Sequence, residues 1–277
     1  MSPVRSIILA LTSSGIAASH SFITNVNINL TSYSGFDPRP GFGNNSAQPL
    51  AAWSTTATDQ GYVNQTAYQS PDIVCHRGAE NAQAHIPVSA GDTVHLQWMG
   101  WPQSHKGPVM DYLASCGLSG CDRVNKTSLE WFKINEIGLV NTSSVCGYVG
   151  GCWGSDLLIA NNNSWIVEIP PSIRPGSYVL RTEIIALHNA SNVVGAQNYP
   201  QCINLEISGN GADFPAGVRG EKLYQPSDSG VNVNITKGVS SYVIPGPTPI
   251  KDARSVPLSH PVPTARATAI PDHASRQ

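Results

Sequence analysis

Five short runs, SFITNVNINL, TVHLQWMGW, SWIVEIP, GSYVLRTEIIALH and QCINLEISG, are rich in β-branched and aromatic residues, and several alternate polar with apolar positions. Successive side chains of a strand point to opposite faces, so this alternation describes strands with one side buried. Clusters of Pro, Gly and Asn separate the runs, and long stretches of helical periodicity are scarce. The pattern predicts an all-β chain folded as an antiparallel β-sandwich. Residues 32–70 and 116–156 are rich in turn residues and are expected to form long surface loops. Loops of that length in a compact domain are functional or disordered, and the flanking cysteines favour the first.

The chain opens MSPVRSIILALTSSGIAASH. Arg5 precedes an apolar run from Ile7 to Leu11, and the small residues Ala17, Ala18 and Ser19 follow, the form of a secretory signal peptide. Cleavage after Ser19 would make residues 1–19 the leader and His20 the mature terminus; cleavage after Ala18 is the alternative. No later segment has the uninterrupted apolar length of a membrane helix. The protein is therefore expected to be secreted, extracellular and away from membranes, and to act as a monomer. Residues 20–247 suit one domain. Residues 248–277 are rich in Pro, Ala, Ser, Thr and Arg, contain no cysteine or aromatic residue, and are expected to be a disordered tail.

A charged fraction of 12% and a net charge of −2 leave no electrostatic footprint for nucleic acid. The low charge suits contact with a neutral polymer. Six cysteines behind a leader point to disulfides rather than thiolate metal ligands. Fifteen pairings are open; the short spacings favour Cys116 with Cys121 and Cys146 with Cys152, leaving Cys75 to join Cys202 across distant segments. Sequons at Asn29, Asn44, Asn64, Asn125, Asn141, Asn162, Asn189 and Asn234 permit N-glycosylation.

A terminal His20 carries two nitrogen donors, the α-amine and imidazole Nδ1, that can chelate one metal. The amine titrates near about 7.7–8.0 and the imidazole near about 6.5, so a metal can displace both protons. His105, in WPQSHKGPV, is the best candidate for a third nitrogen. Nitrogen-rich tetragonal geometry suits Cu(II), which also supplies the one-electron chemistry zinc lacks. His95 alternates with Val94, Leu96 and Trp98 and is read as structural, as are His76 and His85.

His20 behind a leader, PDIVCHRGA at 71–79, WPQSHKGPV at 101–109, IIALHNA at 184–190 and GAQNYPQC at 195–202 form an ordered series. Together they resemble auxiliary activity family nine, the cellulose-active lytic polysaccharide monooxygenases once classed as glycoside hydrolases. The likeness runs from His20 to about Pro247. It implies an immunoglobulin/fibronectin-III-like sandwich with long loops, and one copper ion held by His20 and His105 with Tyr199 at the axial position. His188 and Gln197 match the family's second-sphere pair, and Tyr224 and Tyr33 are candidates to stack on sugar rings. The implied substrate is cellulose or a related β-1,4-glucan, hydroxylated at C1 and/or C4 with O2 or H2O2. Electrons would come from an external donor, cellobiose dehydrogenase or a small reductant. Two departures stand out: Thr182 where many relatives have histidine, and the additional Cys146–Cys152 staple.

Two other classes compete. A carboxylate-dependent glycoside hydrolase needs a pair of acids at defined spacing; Asp72, Asp111, Glu168 and Glu183 are available, but none lies in a distinguishing motif, and Glu168 and Glu183 read as solvent-facing. The other is a non-catalytic sandwich that binds polysaccharide or copper, since fold alone does not establish function. The His188 and Gln197 match argues against it.

Overall fold

The computed structural model describes residues 21–42, 49–143, 146, 150–258, 265–266 and 270–271. The leader, His20 and the Asn44 sequon lie outside the described residues. In chain order the strands are β1 (Ile23–Ile28), β2 (Thr31–Ser34), β3 (Val63–Asn64), β4 (Ala84–Ser89), β5 (Thr93–Trp98), β6 (Val109–Ser115) and β7 (Glu130–Ile137). Then come β8 (Leu139–Asn141), β9 (Cys152–Trp153), β10 (Ser164–Glu168), β11 (Gly176–Ala186), β12 (Gln197–Ser208), β13 (Val218–Arg219), β14 (Ala265–Arg266) and β15 (Ile270–Pro271). Two short helices, α1 (Asp72–Cys75) and α2 (Gly154–Ala160), interrupt them.

One sheet has the order β10-β5-β1-β2-β14; the other runs β13-β7-β6-β11-β12-β4-β15, with β3 also on β12. Pairing is antiparallel except β4 on β12 and β14 on β2. The alternation expected of TVHLQW holds: Val94, Leu96 and Trp98 are buried, while Thr93, His95 and Gln97 are half-buried. They meet Leu113, Ile134, Leu180, Ile184 and Leu205 of the facing sheet in the main core. Fully burying one such side chain is worth about 1.5–3 kcal/mol.

The second sheet is covered on both faces. Met110, Tyr112, Val179 and Ile185 point away from the first sheet into a further cluster with Tyr68, Trp131 and Trp153, so β6 and β11 are buried almost throughout. That second layer explains two differences from expectation. The span 116–156, expected as loop, contains β7, in which Trp131 to Asn135 are all buried. Its polar members find partners inside, Lys133 donating to Pro245 O and Asn135 to Asp111 Oδ2. Glu183, expected to face solvent, is fully buried, because the outer face of β11 carries Arg181 as its ion-pair partner beneath the covering loops.

The disulfides are Cys75–Cys202, Cys116–Cys121 and Cys146–Cys152, the pairing the spacings favour. Of the tail, residues 248–258 lie along the sandwich: Ile250 N–H donates to Lys133 O, Ser255 Oγ bonds Asn135 Oδ1, and Ile250 and Leu258 pack on the main core. Beyond them only β14 and β15 fall within the described residues.

Candidate metal centre

Separate segments meet at one end of the sandwich. The loop after β5 is folded by Trp101, whose indole N–H donates to the His105 carbonyl at 2.8 Å. Met99 N–H donates to Phe22 O at 3.0 Å, and Gly100 N–H to Ser21 Oγ at 3.4 Å. Ser21, the residue bonded to His20, therefore lies against the loop that carries His105. Leu187 N–H donates to Lys106 O at 2.8 Å, docking the end of β11 on the same loop. Only glycine fits at 107, since a Cβ there would stand 1.8 Å from Ile185 O. The register between β11 and β12 pairs Ile184 with Tyr199 and Ala186 with Gln197, which brings the turn bearing His188 beside Gln197.

The imidazoles of His105 and His188 are 4.0 Å apart between ring centroids. Trp101 stands edge-on to both His105, at 6.2 Å, and Tyr199, at 5.0 Å. Gln197 and Tyr199, two apart on one strand, face the same side, and the Tyr199 hydroxyl donates to Gln197 Oε1 at 2.9 Å. Tyr199 is fully buried, while His105 and Gln197 retain 7% and 8% exposure. Burial holds the Tyr199 phenol well above its ordinary range and lowers the His188 imidazole. His188 Nδ1 is buried with no hydrogen-bond partner.

The donor chemistry fits a nitrogen-rich copper site. All six cysteines are in disulfides, and among the described residues no cluster of three His, Cys, Asp or Glu could hold a metal. The described chain thus offers the His105 imidazole, with the buried Tyr199 phenol in the same group of rings. His105 Nδ1 lies 3.0 Å from Ser104 Oγ. A histidine that gives one nitrogen to a metal commonly donates the other N–H in this way, which would leave Nε2 as the ligating atom.

Two expectations are corrected. Tyr224 is 1% exposed: its hydroxyl donates to Glu183 and meets Tyr112 Oη, and its ring packs 5.5 Å from Tyr68. Tyr33 is also buried, in the main core, because β2 turns it inward opposite Val26. Neither can stack on a sugar. Phe42, in the loop after β2, is 61% exposed, and the Arg39 guanidinium lies over both its ring and that of Phe22. Sequence reasoning passed over Phe42 because nothing in FDPRPGFGNN marks it; Trp101 was already within WPQSHKGPV. The acids of the rival hydrolase do not converge. Asp111 and Glu183 are fully buried, Asp72 accepts from Gly78 N–H, and Glu168 pairs with Arg254.

Residues 20–242 match Auxiliary Activity family 9 (formerly GH61). An AA9 family lytic polysaccharide monooxygenase A from Thermoascus aurantiacus is 53% identical over 230 residues, 82% of this chain and 98% of that protein. An AA9 family lytic polysaccharide monooxygenase D from Podospora anserina is 48% identical over 243 residues, 88% of this chain and 69% of its own length. Among solved structures, the extended catalytic domain of H. jecorina LPMO9A superposes with a TM-score of 0.85 at 45% identity, covering 91% of this chain and 100% of that one.

Proposed function

Since the chain belongs to auxiliary activity family 9, whose named members are lytic polysaccharide monooxygenases, we propose that the secreted, processed protein cleaves cellulose oxidatively with one copper ion. The observation that carries this reading is the convergence of His105, His188, Gln197 and Tyr199 at the end of the sandwich where the N-terminal strand begins.

His20, through its terminal amine and imidazole, and His105 would hold the metal, with the buried Tyr199 phenol behind it. Copper bound there supplies one-electron chemistry that couples O2 or H2O2, with an external reductant, to oxidation of C–H bonds. Tyr199 fixes the Gln197 amide by donating to its Oε1, which leaves Nε2 as the amide's donor toward a bound substrate. His188, whose imidazole stands 4.0 Å from that of His105, would position the substrate or move a proton beside it. Phe42, stiffened by Arg39, offers an apolar face for a glucose ring. Hydroxylation at C1 or C4 then breaks the β-1,4 linkage without threading the chain into a pocket.

The test is copper titration of two proteins, one beginning at His20 and one retaining Ser19 before it. The first is expected to bind one Cu(II) tightly. The second, lacking the terminal amine at His20, is expected to bind far more weakly; equal affinities would contradict the assignment.

A further inference from the structure

The residue after His105 is a lysine with a buried ammonium: Lys106 is 1% exposed. Its Nζ lies 2.9 and 3.0 Å from the two oxygens of Asp156 and donates to Gly151 O at 2.9 Å. Asp156, in the first turn of α2, also accepts the Trp153 N–H at 2.7 Å. The next residue is clamped twice: Gly107 N–H donates to Ser155 Oγ and Ser155 N–H to Gly107 O, each at 3.1 Å. On the other side, the Lys106 carbonyl holds Leu187, the residue before His188. Gly151 adjoins Cys152, which closes its loop to Cys146.

Burying two ions costs desolvation that a well-packed apolar pair avoids, so such a pair contributes little net stability; what it can supply is a fixed geometry. Here the geometry joins the loop of one histidine to the turn of another. We propose that Lys106 is a positioning residue for the copper site, its ammonium anchored on Asp156 and Gly151 so that α2 and the Cys146–Cys152 loop set the spacing of His105 and His188. This rests on the copper assignment above. The link acts through residues 105–107 and 187–188 and touches neither metal nor substrate.

The test uses the chain beginning at His20, with Cu(II) as the probe, in wild type, Lys106→Met and the double variant Lys106→Met/Asp156→Leu. Calorimetric titration, the Cu(II) electron paramagnetic resonance spectrum and urea unfolding of the copper-free proteins are measured. Lys106→Met is expected to weaken Cu(II) binding roughly 10–100-fold, the usual effect of losing an outer partner, and to alter the copper hyperfine splitting. The double variant, with no orphaned carboxylate, is expected to regain unfolding resistance while keeping the weakened binding and altered spectrum, because the anchor on Gly151 is still missing. Wild-type affinity and spectrum in the double variant would overturn the proposal and reduce the pair to a stability element. If Lys106→Met does not fold, the double variant decides alone. Failure of the wild type to bind Cu(II) would overturn the copper assignment itself, whereas binding unchanged in every variant would overturn only the role of Lys106.

Discussion

The imidazole rings of His105 and His188 stand 4.0 Å apart and tilted by 36°, although one lies in the loop before β6 and the other in the turn after β11. Their approach depends on the Lys106–Leu187 backbone bond and on the close contact of Gly107 with Ile185. Gln197 and Tyr199 complete the group from β12.

Gln197→Ala removes the amide that accepts the Tyr199 hydroxyl. Stability is expected to fall by about 0.5–1.5 kcal/mol, the net worth of one hydrogen bond, read by urea unfolding. Oxidised products should fall roughly 10–100-fold while Cu(II) affinity is retained. Unchanged turnover would remove Gln197 from the reaction.

Glu183→Gln tests a fully buried ion pair. Glu183 takes two bonds from Arg181, one from Asn198 and one from Tyr224. Loss of its charge strands Arg181, and the expected cost is about 3–5 kcal/mol in chemical denaturation. Because Glu183 lies outside the reaction, residual folded protein should keep its activity per bound copper; a hydrolase using this acid would lose it.

Two buried groups should give stability opposite pH dependences. Burial, assisted by Arg77, lowers His76 to about 4, so the unfolded chain takes up the proton first, and stability falls as pH drops from about 6.5 to 4. Burial raises Asp111 to about 6 against its Thr182, Trp165 and Asn135 neighbours. Its contribution is full below about 3.8 and is lost as pH rises through 6. The two largely offset in wild type. Relative to wild type, Asp111→Asn should lose about 3 kcal/mol more between pH 6.5 and 4, and His76→Gln should gain about 3 kcal/mol over the same descent. Parallel curves for all three proteins would contradict both assignments.

Phe42→Ala is expected to weaken cellulose binding roughly 5-fold, the loss of about 1 kcal/mol of stacking, without changing Cu(II) affinity. Tyr224→Leu, which removes the ring, should leave cellulose binding per folded molecule untouched, since that ring is buried. A pull-down isotherm on crystalline cellulose separates the two; the reverse ranking would restore Tyr224 to the face.

The sandwich was legible wherever one strand face is buried, as in β5, where period-two alternation survives in the residues themselves. It failed for β7, because a sheet covered on both faces erases alternation and can hide Lys133 and Asn135 inside. The same second layer misled the reading of Glu183 and Tyr224, whose polar ends satisfy each other out of sight of solvent. His105, His188, Gln197 and Tyr199 were legible through family resemblance and, for the last two, through strand parity. The Lys106–Asp156 link was not, because an ion pair between distant segments leaves no local pattern.

Mass spectrometry of the soluble products from cellulose, released by the chain beginning at His20, tests the proposed activity most directly. With Cu(II) and ascorbate, aldonic acids or C4 ketones are expected, and both should vanish when either copper or ascorbate is withheld. Ordinary reducing ends formed without reductant, or no oxidised product from protein with copper bound, would contradict it.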